Sequence, residues 1–178
     1  MSKCQLIVIA GPIGGGKSST AIAVAGLFRA QGIAAAVIDL DVIYLMARPD
    51  FTLEGWGEVR RGAGVLANQF LVGSHEVVIV EGDDIKTEEE FLELERCVTQ
   101  TKNHLRITLL VGHDEVRRNI IADPTRHHTP TVEPDWHYRR YVQALPFLTE
   151  NTTVVETAGL SLAEVADRVF CLAKSEQL

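Results

Sequence analysis

The sequence predicts an α/β domain with helices on both faces of a parallel sheet. Strand-like and helix-like patterns alternate along the whole chain, which is typical of doubly wound folds. The strand-like segments are continuous apolar runs, as expected of strands buried on both faces. With 178 residues, of which 46% are hydrophobic, the chain is long enough for one sizeable core. We therefore expect a single domain over 1–178.

Each element has its own signal. Five apolar runs predict strands, and they cover 5–10, 33–40, 76–80, 104–111 and 152–156. Apolar residues at helical spacing predict a helix after residue 17, a second over 64–71, and two more behind the capping boxes at 87–90 and 161–164. Gly32 ends the first of these helices.

A glycine-rich segment follows the first strand. Residues 11–18 read GPIGGGKS, which matches the pattern G-x-x-x-x-G-K-[ST] between a strand and a helix. Glycines allow backbone N–H groups to close around phosphate oxygens, Lys17 neutralises the β- and γ-phosphates, and the Ser18 hydroxyl reaches Mg²⁺. The positive end of the following helix also faces the anion. The predicted nucleotide ligands are Gly11, Ile13, Gly14, Gly15, Gly16, Lys17, Ser18 and Ser19.

Carboxylates follow the second and third strands, at the edge where open α/β sheets bind ligands. Asp39 and Asp41 lie on one face if the second strand extends that far, beside the strand of the phosphate loop. We assign Asp41 to orienting and deprotonating an acceptor hydroxyl, and Asp39 and Glu81 to the metal. Asp39 could instead cap a helix or a turn. Glu81 could also activate water or accept a substrate hydrogen bond, and Asp83 is a third metal candidate.

The region 114–148 differs from the rest of the chain. Three of the six prolines fall within 124–134, so one uninterrupted helix is excluded there. We expect two helices joined by a proline-rich loop, which together form a mobile lid over phosphate. A solvated surface with incidental arginines is the alternative. The arginines of this region are Arg117, Arg118, Arg126, Arg139 and Arg140.

Charge and cysteine content indicate which partners and which cellular compartment to expect. A formal net charge of −7 argues against nucleic acid or an anionic membrane as the main partner. The cysteines Cys4, Cys97 and Cys171 show no metal-ligand spacing, which favours a reducing cytosol. No signal-like N-terminus and no run of about 18 apolar residues is found, so we expect a cytoplasmic protein. A monomer and a homodimer both remain open.

Several segments carry a family resemblance. The loop GPIGGGKSS, the strand ending in IDLD, the strand VVIVEG, the Arg/Pro-rich insertion and the tail VVETAGLSLAEVADRV resemble the small P-loop kinases. This group includes shikimate, gluconate and adenylylsulfate kinases and chloramphenicol phosphotransferase. The resemblance spans almost the whole chain and implies a three-layer P-loop NTPase fold, a five-stranded parallel core, ATP, Mg²⁺ and an arginine-bearing lid. It also implies that Asp41 contacts the acceptor hydroxyl, that Arg118 or Arg126 binds ATP, and that the loop from Thr157 to Gly159 lies near adenine.

The resemblance implies an ATP-dependent phosphotransferase that acts on a hydroxyl of a small molecule. Apolar residues at 42–46 follow the Asp39-Leu40-Asp41 motif and suggest a partly apolar acceptor, whereas Arg60 and Arg61 could bind an anionic one. A nucleoside or nucleotide kinase is an alternative, as is a nucleotide-dependent switch. The N-K-x-D element expected by resemblance to the GTPases is absent from the sequence.

Overall fold

The computed structural model describes residues 4–47, 55–122 and 134–176. Its strands are β1 (Gln5–Ala10), β2 (Ala35–Asp39), β3 (Val77–Glu81), β4 (His104–Leu110) and β5 (Thr153–Glu156). They form one sheet in the order β2-β3-β1-β4-β5, and every neighbouring pair is parallel. The predicted five-stranded parallel sheet is confirmed.

Within the described ranges, six helices lie between successive strands and a seventh follows the last strand. They are α1 (Lys17–Ala30), α2 (Leu40–Ala47), α3 (Trp56–Gly73), α4 (Glu88–Glu95), α5 (His113–Ala122), α6 (Pro134–Asn151) and α7 (Leu162–Ser175). No helix in the part of the chain described here is both long and apolar enough to cross a membrane. Helices α5 and α6 border 123–133, so the loop of the predicted lid falls outside the described residues.

The central strand β1 is buried along its whole length because it carries apolar side chains toward both faces of the sheet. Ile7 and Ile9 pack with residues of α1 and α7 in one core. Leu6 and Val8 pack with residues of α2, α3, α4 and α6 in the other. This alternation follows the two-residue period of a strand, and it produces the predicted three-layer arrangement.

Two expectations about the second strand are wrong. β2 ends at Asp39 and α2 begins at Leu40, so Asp41 lies in the first turn of a helix. Asp39 ends the strand because its Oδ1 accepts hydrogen bonds from the backbone N–H groups of Asp41 and Val42, at 2.8 and 3.3 Å. In addition, β3 lies between β1 and β2. Asp41 therefore does not follow the strand next to the phosphate loop.

The capping signals set the starts of the later helices. The predicted capping box of α7 is confirmed, since Ser161 and Glu164 exchange backbone-to-side-chain hydrogen bonds. At α4, Thr87 accepts from the Glu90 N–H, but Glu90 reaches back to the N–H of Lys86 at 2.6 Å. The reciprocal bond therefore fixes the residue before the cap, which anchors the loop between β3 and α4.

Candidate active site

The glycine-rich loop turns tightly between β1 and α1. Gly14 and Gly16 have φ angles of 71° and 80°, a left-handed conformation that side chains disfavour. The N–H of Gly15 donates to the carbonyl of Pro12 at 3.0 Å and closes the turn. Because α1 begins at Lys17, the positive end of that helix faces the loop. The segment therefore has the construction of an anion cradle.

Lys17 lies against this loop and is only 8% exposed. Its Nζ donates a hydrogen bond to the Pro12 carbonyl at 2.9 Å. The ammonium group is thus held at the cradle by the same carbonyl that closes the turn. A phosphate bound by the loop amides would meet this charge directly.

Glu81, at the carboxyl end of β3, faces the first turn of α1. It is 2% exposed, and its carboxyl group is hydrogen-bonded by the Ser18 side chain. Its Oε1 is buried and has no hydrogen-bond partner among the described residues. Burial raises the pKa of Glu81 to about 7, although Lys17 and the Ser18 hydrogen bond act in the opposite direction.

Asp41 brings a second carboxyl group to the same place from α2. Burial, followed by the charge of Asp83, raises the pKa of Asp41 to about 7, while Lys17 lowers it. None of the described residues gives the Asp41 carboxyl group an ion pair or a hydrogen bond to its oxygens. The structure therefore brings together the predicted residues Lys17, Ser18, Glu81 and Asp41. Asp41, however, comes from helix α2 and not from a strand.

Solved kinase structures share the overall fold of this chain at low sequence identity. The shikimate kinase from Acinetobacter baumannii is 16% identical with a TM-score of 0.65, and the match covers 99% of this chain and 97% of that chain. A gluconokinase from Sinorhizobium meliloti 1021 is 18% identical with a TM-score of 0.65, over 98% and 93%. The Mycobacterium tuberculosis APS kinase in complex with AMPPNP and APS is 16% identical with a TM-score of 0.63, over 98% and 99%. The chain has the fold of the small P-loop kinases. No protein-family model matches it, and no curated protein matches it in sequence.

Within this P-loop kinase fold, the turn after β3 places Lys86, which the sequence analysis missed, beside the metal candidate Asp83. Lys86 Nζ lies 3.9 Å from Asp83 Oδ2, and Arg140 of α6 lies 3.8 Å from Asp84 Oδ1. Burial acts to raise the pKa of Asp83, but Lys86, Lys17, His137 and Arg140 outweigh it and hold that pKa below its usual range. Burial raises the pKa of Asp84 to about 6. The only sequence signal for Lys86 is its place directly beyond a strand that ends at the site.

Arg60 has a different role from the one expected of it. The residue is 7% exposed, and its guanidinium group binds Asp84 together with Glu93, whose Oε2 accepts from Nε at 2.7 Å. Because these carboxylates occupy its donors, Arg60 joins α3 to α4 and the β3–α4 turn and is not available to an acceptor anion. Arg61 is half exposed and pairs with Glu93 at 3.3 Å.

The remaining predicted site residues within the described ranges lie on α5 and in the turn after β5. Helix α5 packs on the loop, where Asn119 Nδ2 donates to the Gly14 carbonyl at 2.8 Å. Its neighbour Arg118 has an exposed side chain, and Arg126 lies outside the described residues. Thr157 is buried, and its hydroxyl donates to the Leu110 carbonyl at 3.1 Å. The turn ending at Gly159, with a φ of 73°, follows β5 at the same edge of the sheet.

The residues of the site could supply only some of the ligands of a Mg²⁺ ion. Within the described ranges, no group of three or more His, Cys, Asp or Glu residues could hold a metal ion. Mg²⁺ is usually bound by one or two protein groups with substrate phosphates and water. Ser18 and the unpartnered Glu81 Oε1 fit that requirement. Asp39 has one carboxyl oxygen engaged in capping α2, which leaves the other available.

Proposed function

We propose that this protein is an ATP-dependent phosphotransferase that moves the γ-phosphate to a hydroxyl group of a small molecule. The observation that carries the proposal is the convergence of Lys17, Glu81 and Asp41 at one edge of the sheet. A phosphate cradle, a carboxylate beside the helix start and a second carboxylate facing both are the parts that phosphoryl transfer requires. The kinase structures of the same fold, one in complex with AMPPNP, support a nucleotide as the donor.

Each residue has a role in this proposal. The loop amides from Gly11 to Ser19 and Lys17 hold the β- and γ-phosphates, and Ser18 with Glu81 or Asp39 would hold Mg²⁺, which neutralises phosphate charge when bound. Asp41 orients the acceptor hydroxyl and takes its proton. The bond from the acceptor oxygen to the γ-phosphorus forms as the bond to the β–γ bridging oxygen breaks, and ADP leaves with that electron pair.

The finer features of the site are also proposals. We assign Arg118 and Arg126 to the transferring phosphate, as part of a lid over 114–148 that excludes water. The turn from Thr157 to Gly159 is assigned to the adenine. The proposed setting is the cytoplasm, with a small-molecule acceptor and neither nucleic acid nor membrane as partner, as a monomer or a homodimer.

The test is a metabolite phosphorylation screen. Purified protein is incubated with ATP, Mg²⁺ and a metabolite extract, and mass spectrometry identifies new phosphorylated products, while ADP release is measured with and without candidate acceptors. Acceptor-dependent turnover supports the proposal, and its loss in Lys17→Ala with an unchanged circular-dichroism spectrum assigns it to the loop. Slow ATP hydrolysis that no acceptor stimulates would favour a nucleotide-dependent switch. Products formed from nucleosides or nucleotides would favour that kinase class.

A further inference from the structure

Resting on the phosphotransferase activity proposed above, we infer that the acceptor is a neutral polyhydroxylated compound and that Lys86 and Asp83 bind one of its hydroxyl groups. The two residues lie in the turn between β3 and α4, next to the reacting carboxylates. Neither is part of the phosphate cradle.

Lys86 is a buried ammonium group that lacks a hydrogen-bond partner. Its Nζ is shielded from solvent and makes no hydrogen bond within the described residues, and Asp83 Oδ2 is 3.9 Å away. The backbone at this position is fixed, because the Lys86 N–H donates to Glu90 at 2.6 Å. Three unsatisfied donors in a buried group are strongly unfavourable. An oxygen atom of a ligand would supply the missing partner.

This pair acts on the reacting residues. The charge of Asp83 is the largest charge effect on Asp41, and the charge of Lys17 acts on both Asp83 and Lys86. A ligand that contacts Lys86 therefore lies near the proposed base and near the phosphate cradle. That position belongs to the acceptor, because the cradle itself holds the nucleotide.

A hydroxyl group matches the Lys86 and Asp83 pair better than a charged group does. A hydroxyl accepts one hydrogen bond and donates another, so it can accept from the ammonium and donate to the carboxylate. An acceptor carboxylate would satisfy Lys86 but would be repelled by Asp83. An acceptor ammonium would satisfy Asp83 but would be repelled by Lys86.

The other cations around the crevice already face carboxylates of the chain. Arg60 binds Asp84 and Glu93, and Arg140 faces Asp84 at 3.8 Å. Asp41, by contrast, has no such cation of its own among the described residues apart from Lys17, which would serve the phosphates. A negatively charged acceptor would therefore meet several carboxylates, with only Lys86 left to bind it, and Lys86 already faces Asp83 at 3.9 Å.

The first test is the charge of the acceptor that the metabolite screen identifies. We expect a sugar, a cyclitol or another neutral polyol, with charged derivatives of the same carbon skeleton, such as the acid and the amine, used at least about 10-fold less efficiently. An acceptor that needs its carboxylate or phosphate group overturns this inference and leaves the phosphotransferase proposal standing. The absence of any acceptor-dependent product overturns that proposal, and this inference with it.

The second test compares Lys86→Met with Lys102→Met, a matched loss of an exposed lysine outside the site. We expect the KM for the acceptor to rise about 10- to 100-fold in Lys86→Met, with the KM for ATP nearly unchanged. Asp83→Asn should raise the same KM, because the hydroxyl then donates to a neutral amide oxygen in place of a charged carboxylate. Lys102→Met should leave both constants unchanged.

Thermal melting separates a ligand-binding role from a structural one. We expect Lys86→Met to melt close to the wild-type temperature, because removing a buried ammonium that lacks hydrogen bonds offsets the loss of its ion pair with Asp83. A melting temperature well below that of Lys102→Met, with an unchanged acceptor KM, would show that Lys86 only stabilises the fold. That result would overturn the inference.

Discussion

At the scale of single residues, the buried carboxyl groups of Asp41 and Glu81 lower the stability of the folded protein. Burial and neighbouring carboxylates raise the pKa of each to about 7, from ordinary values of 3.8 and 4.5. Between about pH 4 and 7 the folded protein therefore holds protons that the unfolded chain has released, and its stability falls as the pH rises through that window. The groups placed for phosphoryl transfer are thus a source of instability at neutral pH.

Replacing Asp41 should weaken catalysis and strengthen the fold. We expect Asp41→Asn to lower kcat about 10²- to 10⁴-fold, because the acceptor loses its base. Its melting temperature at pH 8 should rise by about 2–4 °C, since the cost of burying a charged carboxyl group and its repulsion by Asp83 are removed, and the gain should shrink at pH 5 where Asp41 is already protonated. Asp167→Asn, at an exposed carboxylate of α7 outside the site, is the control in calorimetry and turnover assays. A less stable Asp41→Asn, or one with full activity, contradicts this account.

At the scale of secondary-structure elements, α3 and α4 approach each other closely because Gly64 has no side chain. A Cβ atom at Gly64 would lie 2.2 Å from the Leu94 carbonyl oxygen, whereas one at Gly62 on the same helix would meet nothing within 4 Å. This contact also positions α4, which supplies Glu93 to Arg60 and Glu90 to the Lys86 backbone. The packing of two helices therefore supports the turn that borders the site.

The two glycines provide a matched pair. Gly64→Ala should lower the free energy of unfolding by about 1–3 kcal/mol, because α3 must move away from α4. Gly62→Ala should raise it by up to about 1 kcal/mol, since alanine favours a helix and meets no obstacle. Urea denaturation of both variants measures the difference. Equal effects of the two substitutions would mean that the close approach is not a constraint.

A buried ion pair joins β4 to α4. Arg106 donates to Glu95 at 2.7 Å and to Glu88 at 2.7 Å, and its guanidinium carbon lies 4.6 Å from the centre of the Phe91 ring. Burial acts to raise the pKa of Glu95, but hydrogen bonds from Arg106 and His104 outweigh it and hold that pKa below 4.5. The stabilisation is therefore present above about pH 4.5 and is lost as the pH falls further.

Removing this arginine should leave a buried carboxylate without its partner. We expect Arg106→Met to lose about 2–4 kcal/mol at pH 7, because Glu95 remains charged and buried. The loss should be smaller at pH 4, where the unfolded chain and the unpaired Glu95 are both protonated. Urea unfolding at the two pH values provides the measurement, with Arg96→Met as the exposed control. A loss that is the same at both pH values would contradict the role assigned to Glu95.

The sequence predicts the elements better than the contacts between them. The number and order of the strands, the phosphate loop between β1 and α1 and the capping box at Ser161 depend on local patterns, and the structure bears them out. The end of β2 was mispredicted because the apolar segment around Asp41 suits a strand and a helix equally. The partners of Arg60 lie 24 and 33 residues further along the chain, so no spacing rule could reveal them.

At the scale of the whole molecule, the titrating groups act in opposite directions. Acidification from pH 7 neutralises the buried carboxyl groups of Asp41 and Glu81, whereas below about pH 4.5 the ion pair between Arg106 and Glu95 is lost. We expect the ligand-free protein to be most stable near about pH 5. Urea unfolding from pH 4 to 8 tests this, and a maximum at pH 8 would contradict the assigned directions.

The position of β3 between β1 and β2 has a consequence for how the two reactants share the molecule. Neighbouring strands are about 4.8 Å apart, so the ends of β1 and β2 are separated by about 10 Å, roughly the span of a phosphoryl group and the atoms that give and receive it. The carboxyl end of β3 then lies beneath both the phosphate donor and the acceptor. Gly82 allows the chain after β3 to pack closely against α2, because a Cβ atom at Gly82 would lie 2.8 Å from the Leu40 side chain. Bulk added at this one position would disturb both reactants at once.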